Sequence, residues 1–212
     1  MQDAVIVSAT RTAVGKAPQG TLKTVRPDEL AAATIAEATR RAAGIDPAEI
    51  DDVILGRAMP EAEQGLNVAR IASLRAGIPV SASAVTVNRF CSSGLQSIAF
   101  AAERIMCGFA QTVVAGGTES MSMVPMGGNK PSFSPAVFAS NENVAIGYGM
   151  GITAERVAER WKVTREEQDM FAAESHRRAI HAVENGLFND EVTPYTVADR
   201  VPDLVSREIK VN

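Results

Sequence analysis

Cys91 is the residue of this chain best placed to do covalent chemistry. It lies in the stretch 84–108, AVTVNRFCSSGLQSIAFAAERIMCG. Val85 and Val87 alternate there with Thr86 and Asn88, the period of a strand. After Cys91, the residues Leu95, Ile98, Ala99, Ala102 and Met106 recur at helical spacing. The pattern predicts a strand, a sharp turn carrying Cys91, and a helix. A cysteine at such a junction lies where the first free N–H groups of a helix point. That field favours thiolate over thiol, and the thiolate is the nucleophile. Ser92, Ser93 and Gly94 are small enough to let a substrate approach, which parallels a nucleophile elbow with sulfur in place of oxygen. The plainer reading is a free cysteine packed as a small hydrophobe.

A nucleophilic cysteine ordinarily works with a base. The two histidines, His176 and His181, stand five residues apart in a charged helical stretch. Paired zinc ligands on a helix need a spacing of four, so a solvated face is the better reading. A role as the base for Cys91 stays open. The turn GGTES at 116–120 is the next candidate, because its glycines admit a ligand or another backbone. In GRAMPEAEQGLNVAR (56–70), Glu61 and Glu63 read as a solvated loop rather than a catalytic pair, with Asn67 and Arg70 following. Met121, Met123, Met126 and Met150 either line an apolar ligand channel or pack as ordinary core. There is no CxxC, HExxH, GxxxxGK[ST] or GxGxxG, so metal, P-loop and dinucleotide sites have no motif support.

The elements that position these residues belong to a globular chain. Its 212 residues, 46% hydrophobic and 22% charged, suffice for one large or two small domains. A net charge of -4 and a pI near 5.3 argue against a nucleic-acid partner, which wants a basic face. No run approaches the ~18 apolar residues of a membrane span. The opening MQDAVIVSATRT lacks the basic region and long apolar run of a secretory signal. Cys91 and Cys107 would stand about 24 Å apart on a continuous helix, and a disulfide needs about 7 Å or less. Two unpaired cysteines suit a reducing compartment, so the expected location is cytoplasmic.

Strands are expected at 4–9, 53–55, 84–89 and 111–115, and helices at 27–42, 66–76 and from Cys91 onward. Strands alternating with helices give a parallel, layered α/β sheet, with functional residues at the carboxyl ends of the strands. From Leu95 to Ala102 only Gln96 and Ser97 are polar, so the Cys91 helix should be covered on most sides. A second sheet or a partner subunit is expected on the side its own sheet leaves open. Residues 121–150 are rich in Pro, Gly, Ser, Asn and Met and form a long loop region. Helices follow at 152–163 and 164–186, the second opened by a Thr164/Glu167 capping box. The last stretch, 191–212, has strand-like pieces.

VNRFCSSGLQS, followed about twenty residues later by AGGTESMSMVP, resembles the thiolase family. AVIVSATRTAVGK is similar to that family's first strand and turn, GLNVAR to the entry of its second helix, and MGITAERVAERWKVTREEQDMFAAESHRRA with NGLFNDEVTP to its helical loop domain and exit. The resemblance runs from Ala4 to about Pro194, and VNRFCSSGLQ leans toward 3-ketoacyl-CoA thiolases over acetyl-CoA acetyltransferases. It implies an α/β, thiolase-like layered fold: an N-terminal βαβαβαβ half with a helical loop-domain insert. The implied domains are 1–120 with the nucleophile, 121–190 as loop domain, and 191–212 returning to the core.

The resemblance also implies a function in fatty acid metabolism. Cys91 would carry an acyl group as a thioester and pass it to coenzyme A or to an acetyl-CoA enolate. Met150 would lie near the pantetheine and acyl pocket. Acyl-CoA and coenzyme A would be substrates, with no bound cofactor and no metal, and the protein would form a homodimer or homotetramer. The family's second half, with its NxxGG turn, GHP histidine and CxGGG cysteine, is not in these residues. The alternatives are an inert N-terminal half that needs a C-terminal half, and a ketosynthase-type condensing enzyme.

Overall fold

The structure is a computed structural model that describes residues 2–198, 200–202 and 209–211. It divides into two compact units: Met1–Lys130 with Glu191–Asn212, and Pro131–Asp190. The first division falls ten residues beyond the 120/121 boundary read from composition. Residues 121–130 belong with the first unit because Val124 is fully buried and the Asn129 N–H binds the Glu61 carboxylate.

In the first unit, β1 (Asp52–Gly56), β2 (Ser83–Val87) and β3 (Val113–Gly117) form a parallel sheet in the order β2-β1-β3. The register sets Ile54 opposite Val85 and Ala115. Helix α1 (Pro27–Arg41) starts where Pro27 needs no partner for a missing N–H. Asp28 and Glu29 in its first turn, and Arg40 and Arg41 in its last, complement the helix dipole. Helix α2 (Val68–Arg75) is capped by Asn67, whose side chain accepts the Arg70 N–H. Side chains alternate along β1. Val53 and Leu55 pack with Ala31 and Ile35 of α1 and Ala69 and Ala72 of α2. Ile54 and Gly56 face the other way, toward α3 (Ser93–Met106).

One expectation changes here. Residues 4–9 do not form a strand. A strand requires a hydrogen-bonded neighbour, and among the described residues this segment has none; Val5, Ile6 and Val7 are exposed. The chain first pairs at Arg11, whose N–H donates to the Glu191 carbonyl at 2.8 Å and whose carbonyl accepts the Thr193 N–H at 2.7 Å. In α3 the face that rests on this sheet is Ser93, Ser97 and Ala101, while Leu95 is 72% exposed and Ile98 42%, on the side where a second sheet or a partner subunit is expected. The cause is proximity. A Cβ on Gly56 would stand 2.2 Å from the Ser93 carbonyl carbon, and one on Gly117 would stand 3.5 Å from the Gly94 Cα. Only small side chains fit between α3 and the strands beneath it. Ser97 is fully buried there, and its hydroxyl lies 2.7 Å from the carbonyls of both Gly94 and Gly116.

The second unit contains α4 (Pro135–Phe138), α5 (Met150–Trp161) and α6 (Arg165–Glu184). Lys162, in left-handed conformation, ends α5. Thr164 and Glu167 form the capping box that opens α6. No residue of α5 or α6 is buried. The last described residues form an antiparallel pair, β4 (Arg200–Pro202) and β5 (Ile209–Val211). Among the described residues no helix is long and apolar enough to cross a membrane.

The contact at Gly56 gives a paired test. Gly56→Ala drives a methyl into the α3 backbone and should cost about 3 kcal/mol. Gly94→Ala, where nothing lies within 4 Å of the new Cβ, should stay within about 0.5 kcal/mol of wild type in urea unfolding.

Candidate active site

Three chain segments leave the sheet at its carboxyl edge, and these carry the candidate residues. β2 ends at Val87 and leads to Asn88, Arg89 and a single 3-10 turn, Phe90–Ser92, which carries Cys91 immediately ahead of α3. β1 ends at Gly56 and leads to Arg57 and Ala58. β3 ends at Gly117 and leads to Thr118, Glu119 and Ser120. Cys91 is exposed and unpaired. Cys107, also exposed, is the residue that caps the far end of α3. A groove of about 400 Å³ beside α3, with Ile54, Phe100 and Phe109 on its walls beside the charged Asp52, Glu103 and Arg104, reaches Cys107 and not Cys91.

Hydrogen bonds shape the Cys91 turn. The Asn88 carboxamide accepts the Phe90 N–H at 2.8 Å and donates to the Ala58 carbonyl at 2.9 Å. The buried Ser93 hydroxyl accepts the Arg89 N–H at 2.8 Å and donates to the Phe90 carbonyl at 2.6 Å. The N–H groups of Ser92 and Ser93 go to the carbonyls of Arg89 and Phe90. None of these bonds uses the Cys91 N–H.

A buried polar network supports the turn from the neighbouring loops. Arg57 is 1% exposed, and its guanidinium donates to the Thr118 carbonyl at 2.6 Å. Burial, opposed by nearby Glu119 and Asp28, pushes the Arg57 guanidinium down to about 10. The Glu119 carboxylate accepts the Ala58 N–H at 2.6 Å and a short bond from the Gln64 carboxamide. Gln64, fully buried, also donates to the Met59 carbonyl and accepts the Ser120 N–H. The GGTES turn thus binds backbone of its own protein. Glu61 is no free acid: it holds the turn at Gly128 and Asn129, and the Asn129 N–H lowers its carboxyl below the ordinary range. Asn67 and Arg70 are likewise occupied, with Asn67 bonding Thr86 and the Ala84 carbonyl, and Arg70 bonding the carbonyls of Ala82 and Val80.

Met121 and Met126, in the first unit, are exposed; His176, His181 and Met150 lie in the second unit. His176 and His181 are exposed on α6, and the His181 ring lies 3.1 Å from the Asn185 carboxamide. Met150, 57% exposed, is the first residue of α5. Sequence reasoning missed Gly56, Asn88, Gln64 and Arg57. One signal was available for Gly56: a glycine ending a strand marks a close backbone approach, and β3 ends the same way. Burial of Arg57 and Gln64 has no local signature.

A model of the family described as thiolase, N-terminal domain, matches residues 4–210. The 3-ketoacyl-CoA thiolase of Bacillus subtilis is 51% identical over 199 residues, covering 93% of this chain and 50% of that protein. The acetyl-CoA acetyltransferase of Pseudomonas aeruginosa is 44% identical over 210 residues, 94% of this chain and 53% of the relative. The 3-ketoacyl-CoA thiolase of Pectobacterium carotovorum is 41% identical over 195 residues, 92% and 49% respectively. The chain spans about half the length of the curated relatives it matches.

Glu119→Gln replaces an acceptor with a donor that faces the Ala58 N–H or the Gln64 amide. It should cost about 1–3 kcal/mol in urea unfolding, and an unchanged midpoint would show that the network does not hold these loops.

Proposed function

The chain belongs to the thiolase family, and from that premise we propose that it supplies the acyl-carrying nucleophile, Cys91, of an acyl-CoA C-acyltransferase. The observation that supports this most is the exposed Cys91 sulfur on the turn between β2 and α3, at the carboxyl ends of three parallel strands.

In the degradative direction the Cys91 thiolate attacks the keto carbonyl of a 3-ketoacyl-CoA. The carbon–carbon bond breaks, and acetyl-CoA leaves as its enolate and takes up a proton. The acyl group stays on Cys91 as a thioester, which conserves its activation. The thiol of coenzyme A then attacks that thioester, releases the shortened acyl-CoA and returns the cysteine. In the synthetic direction acetyl-CoA acylates Cys91, and an acetyl-CoA enolate takes the group. Backbone N–H groups of the turn are suited to the oxyanion of each addition. Met150 is assigned to the pantetheine and acyl pocket, and coenzyme A is a substrate.

The unit that holds Cys91 contains no histidine; His176 and His181 belong to the other unit. We assign the base and the second acid to a C-terminal half bearing the GHP and CxGGG motifs, in a cytoplasmic homodimer or homotetramer. The exposed Leu95 and Ile98 flank of α3 favours a second reading of the chain by itself, as an inert half that needs that partner.

Cys91→Ala in the protein containing both halves should abolish acetoacetyl-CoA thiolysis, and full turnover would overturn the assignment. The 212-residue chain alone should show no measurable thiolysis and should self-associate. A monodisperse, active chain would contradict the second reading.

A further inference from the structure

Phe90, the residue before Cys91, has a φ of +47°. This left-handed backbone is unfavourable for a residue with a side chain. Packing of the ring does not impose it, since Phe90 is 65% exposed. The polar neighbours do. The Asn88 Oδ1 takes the Phe90 N–H at 2.8 Å, while its Nδ2 is anchored on the Ala58 carbonyl at 2.9 Å. Asn88 thereby ties the turn to the segment that follows β1, which Glu119 fixes in turn through the Ala58 N–H. The Ser93 hydroxyl closes the other side of Phe90, on its carbonyl.

We propose that Asn88 is a positioning residue for the reaction assigned to Cys91: it holds Phe90 left-handed, and Phe90 in that conformation sets Cys91 on the turn ahead of α3. The proposal rests on the Cys91 reading. Without the Asn88 carboxamide, Phe90 relaxes to negative φ and Cys91 leaves its place at the start of the helix. Glycine at position 90 removes the need for Asn88, because glycine adopts positive φ at little cost. A β-branched residue there has the opposite effect.

The test is alkylation by iodoacetamide, resolved by peptide, with Cys107 at the other end of α3 as the control in the same sample. The ratio of Cys91 to Cys107 rates should fall about fivefold in Asn88→Ala and in Phe90→Val, as expected when a left-handed residue loses its support. In the double variant Asn88→Ala/Phe90→Gly the ratio should return to that of Phe90→Gly. An unchanged ratio in Asn88→Ala and Phe90→Val, or no rescue by glycine, would overturn the assignment. If Asn88→Ala does not fold, the exposed Phe90→Val and Phe90→Gly variants decide: a lower ratio for valine supports the proposal, and equal ratios refute it. A wild-type ratio of one or below counts against Cys91 as the nucleophile instead, so the two failures are read from different comparisons.

Discussion

The close approach of α3 to the end of β1 governs the rest of the first unit. No side chain fits between Gly56 and the backbone of Ser93, so the helix can rest on the sheet only through a stripe of small residues. Ser93, Ser97 and Ala101 supply that stripe. Two of the three are serines, and each must spend its hydroxyl on a backbone carbonyl to be buried without penalty. In exchange, the start of α3 is held tight against the carboxyl edge of the sheet, and the few residues between β2 and α3 must make a sharp turn. Cys91 lies within that short span, and Asn88 and Ser93 hold Phe90 left-handed across it.

The same constraint leaves Leu95 and Ile98 of α3 off its own sheet, where they are exposed in the isolated chain. The helix is therefore positioned by polar and small contacts at its first turn rather than by a broad apolar face. The support beneath is also polar. Arg57, Gln64 and Glu119 join the loops after β1 and β3 through hydrogen bonds between residues 55 to 61 apart in sequence. Such buried networks are stable only when nearly all members are paired, which keeps these loops in one arrangement around the turn.

What the sequence made legible was local. Pro27 with Asp28 and Glu29 marks the start of α1, and Thr164 with Glu167 the start of α6, because caps are decided within one helical turn. The turn at Cys91 was legible because alternation gives way to helical spacing there, and the motif VNRFCSSGLQS pointed to the family that the comparisons bear out. What stayed hidden was non-local. The face that α3 rests on the sheet depends on Gly56, 37 positions before Ser93, so periodicity named a helix but not the stripe that meets the sheet. Residues 4–9 have the composition of a strand, yet pairing needs a neighbour that composition does not reveal. Glu61 read as solvated, but its partner lies 68 residues away.

Trapping the acyl group during turnover decides whether Cys91 carries it. The protein with both halves would be quenched with acid during turnover of acetoacetyl-CoA, and its peptides mapped by mass spectrometry. One acetyl group is expected on the peptide containing Cys91, removed by free coenzyme A, and none on Cys107. Turnover with no acyl group on Cys91, or with the group on another side chain, would contradict that expectation.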